Sequence, residues 1–249
     1  MVYTPVSAKV TRSDVENLAK NLGLSGVVWE NEEFFGITSK EFLFIMDKES
    51  GHIYYSDVNR TRPNGRDLPG NLPSDDEAIK LASAFLKNAQ IMPKDYSATR
   101  TLHQNKMDIT NSEHHFVAWE DVQVYFQRQI EGHEVMGSRF SVDIGANGDI
   151  IGLNTNWRNY VPYKKYPLKS PEQAYDEFKK TALHTHGEPD SVSVNRITLV
   201  YYTQPAADKE KYLQPAYLFE GNFQKDGETS SFGHVYIPAT DDILDTLPQ

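Results

Sequence analysis

The chain has 249 residues, 39% of them hydrophobic, a formal charge of −10 and no cysteine. That length is enough for one large domain or two to three small ones with substantial cores, and the Tyr and Phe content is that of an ordered chain. The acidic balance, spread along the chain rather than gathered in a block, argues against a nucleic-acid partner. The lack of cysteine excludes disulfides, thiol catalysis and cysteine-ligated zinc.

No stretch approaches the roughly 20 apolar residues that cross a bilayer, and Met1 to Val10 lacks the charged-then-apolar layout of a signal peptide. The chain is expected to be soluble, with membrane association only through an anchor that this chain does not carry.

Three helix starts are predicted from a Ser followed three residues later by Glu or Gln: Ser13 with Glu16, Ser74 with Glu77, and Ser170 with Gln173 after Pro171. The Ser hydroxyl satisfies a free backbone N–H while the longer side chain reaches back to the Ser N–H. Apolar residues then recur at helical spacing, as Val15, Leu18, Ala19 and Leu22, then Ala78, Ile79, Ala82, Phe85 and Leu86, then Ala174, Tyr175, Phe178 and Ala182. Stops are expected near Gly23, before Pro93, and before Gly187.

After each helix comes sequence rich in Val, Ile, Phe and Tyr. The predicted strands are 33–37, 42–47 and 52–56, then 116–119, 122–130, 139–144 and 149–157, then 192–203, 212–223 and 231–237. Turns fall at Lys48 to Gly51, at Glu131-Gly132 and at Ala146-Asn147-Gly148. The alternation of Val122, Val124, Phe126 and Ile130 with Gln123, Gln127 and Gln129 marks an antiparallel sheet with one covered and one partly wet face, and Arg128 breaks the apolar side. The fold class expected is α+β, as tandem helix-plus-antiparallel-sheet units: residues 1–72, 73–168 and 169–249. The stretch 59–73, with three Arg, three Pro and two Gly, reads as a linker.

The stretch from Val122 to Trp157 carries Gly132, Val135, Gly137, Ser138, Asn147 and Gly148, a strand ending in a Gly-x-x-Val turn followed by a second strand, an Asn-Gly turn and a third strand. It resembles the PepSY and fungalysin/thermolysin-propeptide domains. Ser170 to Lys180 resembles the helix opening the next such unit, and Leu213 to Tyr217 is similar to a Leu-x-Pro-x-Tyr strand of the same units and of YycH/YycI-type regulators. The resemblance spans about residues 75–237 and rests on turn and strand residues, so it speaks for fold more than activity. It implies an extracytoplasmic protein, secreted or anchored in its precursor, whose partner is another protein such as a protease or membrane signalling protein. Arg128 and the lack of a peptidase domain depart from the pattern.

Catalytic signals are sparse. His184-Thr185-His186 and His114-His115 lack the i, i+4 spacing of a zinc helix, and no Gly-x-Ser-x-Gly elbow or phosphate-cradling glycine motif is present. The pairs Asp75-Asp76, Glu32-Glu33 and Asp241-Asp242 fall at a helix start, a strand edge and the tail. No catalytic residue, cofactor or metal site is therefore expected. An interface is expected at Trp157, Arg158, Tyr160, Tyr163, Lys164 and Tyr166, whose residue types anchor protein contacts, with Arg60, Arg62 and Arg66 as an anionic or peptide contact. The function expected is non-catalytic, regulatory protein binding. Capture of a small molecule or cell-wall fragment in a cleft between units is the alternative, and a hydrolase with dispersed residues a third reading.

Overall fold

A computed structural model describes residues 1–61, 71–110, 115–185, 189–242, 244–245 and 247–248, excluding the side chains of 60, 61, 104–110, 115–120 and 181–185. In chain order the elements are β1 (Val2–Val6), α1 (Arg12–Asn21), β2 (Trp29–Glu30), β3 (Phe34–Thr38), β4 (Phe42–Asp47), β5 (Ile53–Asp57), the single turn α2 (Val58–Thr61) and α3 (Asp75–Asn88). There follow β6 (Tyr96–Thr110), β7 (His115–Ile130), β8 (His133–Met136), β9 (Arg139–Ile144), a 3-10 turn at Ala146–Gly148, β10 (Ile150–Asn156) and β11 (Asn159–Lys164). The rest comprises α4 (Pro171–Thr185), β12 (Ser191–Tyr202), β13 (Gln214–Lys225) and β14 (Glu228–Pro238).

The helix starts follow local chemistry. Ser74 and Ser170 cap as their sequences predict: Ser74 Oγ accepts from Glu77 N, and Ser170 exchanges bonds with Gln173 of 3.2 and 2.8 Å. α1 begins earlier than predicted. Its cap is Thr11, paired with Asp14, which leaves Ser13 inside the first turn. The Glu131-Gly132 hairpin turn has both residues at positive φ, 52° and 79°, as a type I′ turn requires. At Gly137 a side chain is impossible, because a Cβ there would lie 2.4 Å from the Thr203 carbonyl oxygen.

The chain forms two compact units. One comprises Ser7–Arg128 and Ser138–Arg158, and its strands lie in the order β6-β7-β9-β10-β5-β4-β3-β2, all antiparallel. Register explains its core: Ile37, Phe44, Tyr55, Leu153, Val142 and Val124 lie opposite one another in one row across six strands. That face packs against Val15, Leu18 and Ala19 of α1 and Ala78, Ala82 and Leu86 of α3. Arg128 shares the face with Val124 and Phe126. It is 7% exposed, and its Nε donates to Asp95 Oδ2 at 2.8 Å while an Nη1–H reaches the Arg158 carbonyl at 2.6 Å. The break in the apolar pattern is thus a buried charge held by a carboxylate and a carbonyl.

The other unit comprises Met1–Val6, Gln129–Gly137 and Asn159–Gln249. Here β12, β13 and β14 form an antiparallel run, β8 joins β12 in parallel through Val135 and Met136, and β1 pairs with β11. α4 covers one face, where Phe178 stacks on Phe219 at 4.6 Å in a core that includes Tyr217, Phe232 and Ile237. The β1/β11 pair is tied down by Tyr3, whose backbone exchanges bonds with Leu213, and by Tyr160, whose hydroxyl donates to Glu210 Oε2 at 2.8 Å.

The expected fold class of tandem helix-plus-sheet units is overturned. Among the described residues the protein is mostly sheet, 48% strand against 19% helix, with three helices longer than a single turn and a large mixed sheet of 12 strands. Two of the expected helix-plus-sheet groups do not close separately: β5 pairs with β10, so the strands after α1 and those after α3 share a sheet. An edge left unpaired on each group would expose a row of N–H and C=O groups, and joining the groups pairs both edges.

Candidate functional site

The face of the β2–β10 sheet opposite α1 and α3 is built from the alternate residues of the same strands. Its first row runs Thr38, Leu43, Ser56, Gly152, Asp143, Gln123 and Leu102, each opposite the next. Its second runs Gly36, Ile45, Tyr54, Asn154, Ser141, Tyr125 and Arg100. Aliphatic side chains stand at the β4 end, polar groups in the middle, and Tyr with Arg towards β6.

The middle of the face is low. Ser56, Gly152 and Ser141 are buried, while Tyr54, Asp143, Asn154 and Tyr125 on either side are half-buried or exposed. The Asp143 carboxylate lies over Gly152, where a Cβ would meet Oδ2 at 2.6 Å, and it accepts a bond from Gln123 Nε2. Beside it the Ser141 hydroxyl is buried without a hydrogen-bond partner among the described residues, and Asp121 is fully buried. Arg139 lies over the Tyr125 ring at 5.7 Å, and Trp29 covers Gly36 at the far edge with its Nε1 donating to Thr38 Oγ1 at 3.0 Å. Leu102 and Tyr54 are 49% and 37% exposed.

The interface residues predicted from composition have different environments. Trp157 is half-buried, its Nε1 donating to Asp95 at 2.8 Å and its ring facing Arg128 at 5.2 Å and Phe140 at 5.7 Å. Arg158, at 5% exposure, donates to Asn156 Oδ1 at 3.2 Å. Tyr160 is half-buried in the Thr203–Glu210 network. Tyr163 is exposed and meets the Tyr212 ring at 5.0 Å, and Lys164 is exposed over Tyr166 at 5.0 Å. Trp157 and Arg158 thus lie in one compact unit, and Tyr160, Tyr163, Lys164 and Tyr166 in the other. Arg60, Arg62 and Arg66 fall outside the described side chains, as do His114, His184 and His186.

Titratable groups elsewhere have structural environments. His52 is held below its ordinary value by burial, and its Nδ1 bonds to the Thr155 carbonyl. Tyr201 is pushed upward by burial and by Glu131, to which its hydroxyl donates at 3.0 Å. Among the described residues no three His, Asp or Glu side chains converge as metal ligands. The paired rows of the sheet face were missed by sequence reading; the Gln123 and Gln127 alternation was their visible signal.

No family model matches the chain, and no curated protein matches it. Among solved structures, the chain is similar to an uncharacterized protein from Eubacterium rectale, with TM-score 0.54 and 11% identity over 96% of this chain and 83% of that one. This likeness shows a shared fold. The Bacillus megaterium YpeB C-terminal domain aligns over 94% of both chains with TM-score 0.42 and 15% identity.

Proposed function

We propose that the chain is a non-catalytic, regulatory protein-binding module acting outside the cytoplasm, which presents the second face of its β2–β10 sheet to a protein partner. The observation that supports this reading most is the pair of rows across that face. They combine Tyr54, Tyr125 and Arg100 with Leu43, Ile45 and Leu102 on a rigid sheet whose other side is fixed by two helices. Aromatic and Arg anchors among aliphatic contacts on a preorganised surface are the ingredients of protein recognition, and the aromatic ones lose little side-chain entropy on binding. The extracytoplasmic address and the protease or signalling-protein class of partner rest on the resemblance of Gly132 to Gly148 and of Leu213 to Tyr217 to PepSY and YycI-type domains.

The test places a photo-crosslinking phenylalanine analogue at Tyr54 or Tyr125, and as a control at Leu81 of α3, and exposes each protein to membrane and secreted fractions of the source organism. The same discrete crosslinked species from Tyr54 and Tyr125, absent from Leu81, is expected. Equal labelling from all three, or from Leu81 alone, rejects the face.

A further inference from the structure

The β12–β14 sheet has a second face of its own, opposite α4, and it is apolar. Val200, Ala216 and Leu218 are buried there beside Met136 and Tyr236, and Leu247 from beyond β14 packs onto them. The segment bearing Leu247 is gripped at two further points. Gln214, 1% exposed, uses both ends of its amide on the segment's backbone: Nε2 donates to the Asp245 carbonyl at 2.5 Å and Oε1 accepts from Leu244 N at 3.2 Å. The Asp245 carboxylate accepts in turn from the backbone N–H groups of Lys211 and Tyr212, at 2.7 and 3.0 Å.

Each contact specifies a feature of the bound chain rather than of its origin. The Gln214 amide reads one backbone N–H and the next carbonyl, which any peptide carries. Two converging N–H groups read a carboxylate, in a bond made stronger by charge. The apolar face reads an aliphatic side chain two residues further on. Hydrogen bonds to main-chain atoms supply affinity for a peptide irrespective of most of its sequence, and the buried Gln214 makes two of them.

We infer that this face, with Gln214 and the Lys211 and Tyr212 N–H groups, is a peptide-recognition site for segments with a carboxylate followed two residues later by an aliphatic side chain, and that Leu244, Asp245 and Leu247 occupy it in cis. It uses residues other than those of the β2–β10 sheet face and stands whether or not that face binds a protein. A tethered segment competes at an effective concentration in the millimolar range. A peptide supplied in trans therefore enters only when the chain's own segment is weakened.

The test uses the full chain and a fluorescent peptide of residues 241–249. Binding is measured by anisotropy to the natural protein, to Asp245→Asn and to Asp245→Asn/Leu247→Ala, each checked for native circular dichroism. The peptide is expected to bind the double variant at least tenfold more tightly than the natural protein, with the single variant between them. A peptide carrying the Asp245→Asn change should lose at least tenfold on the double variant. Equal binding to all three proteins, binding to none, or indifference to the peptide's carboxylate overturns the inference. Should the double variant fail to fold, Asp245→Asn alone decides by the same criteria.

Discussion

The two compact units treat the sheet face away from their helices in opposite ways. On the β2–β10 sheet that face is polar at its centre, with Ser56, Asp143, Asn154, Ser141 and Gln123 between aliphatic and Tyr/Arg flanks. On the β12–β14 sheet it is Val200, Ala216 and Leu218, closed over by Leu247. A polar face can stay wet and meet a partner, while an apolar one is costly in water and must be covered. Substitutions on the second face should therefore read out as stability in the β12–β14 sheet and as binding in the β2–β10 sheet.

The largest effect belongs to the exception, the charge set on the helix-facing side of the otherwise apolar core. Arg128→Ala removes the cation paired with Asp95 and a donor to the Arg158 carbonyl, and opens a hole beside Trp157. A loss of about 3 kcal/mol is expected in urea unfolding, at the lower end for a broken buried pair because Asp95 is partly exposed. An unchanged midpoint would show the pair to be superficial. Next comes Leu218→Ala on the apolar second face, expected to cost about 3 kcal/mol by the same measurement. A cost of a few tenths would mean that face is not closed.

Thr11→Ala should cost about 1 kcal/mol through the lost cap of α1, and Ser13→Ala much less. The reverse order in thermal unfolding would restore the boundary read from sequence. His52 gives the smallest effect and a sign. Its folded form holds a proton less readily than the unfolded form, whose ordinary value is 6.5, so the unfolded state binds more protons just below that pH. Stability should be fully present above 6.5 and decline as pH falls through this range, and His52→Gln should flatten the decline. A decline of equal slope in that variant would assign it to other groups.

What could be read from sequence was what local chemistry decides. Ser74 and Ser170 cap their helices because the partner residue sits three positions on, and the Glu131-Gly132 and Asn147-Gly148 turns need only residues that accept positive φ. Thr11 was passed over because Ser13 with Glu16 offers the same spacing two residues later. β6 was invisible, since Ser97, Thr99, Arg100, Thr101, His103 and Gln104 show no apolar alternation, and its strand depends on its long register with β7. The sheet face was legible only as the alternation of Gln123 and Gln127. Its rows are assembled by register among seven strands from distant parts of the chain, which no local pattern encodes. Arg158 was expected on a surface by its residue type, but it follows a strand whose end buries Asn156 and Thr155 as well.

The most direct test of the proposed partner surface is the affinity of the crosslinked partner for Arg100→Ala/Tyr125→Ala, compared with Leu81→Ala and the natural protein. A loss of tenfold or more in the double variant at unchanged melting temperature, with Leu81→Ala unaffected, is the expected result. Undiminished affinity in the double variant, or a loss confined to Leu81→Ala, would contradict the assignment of that face.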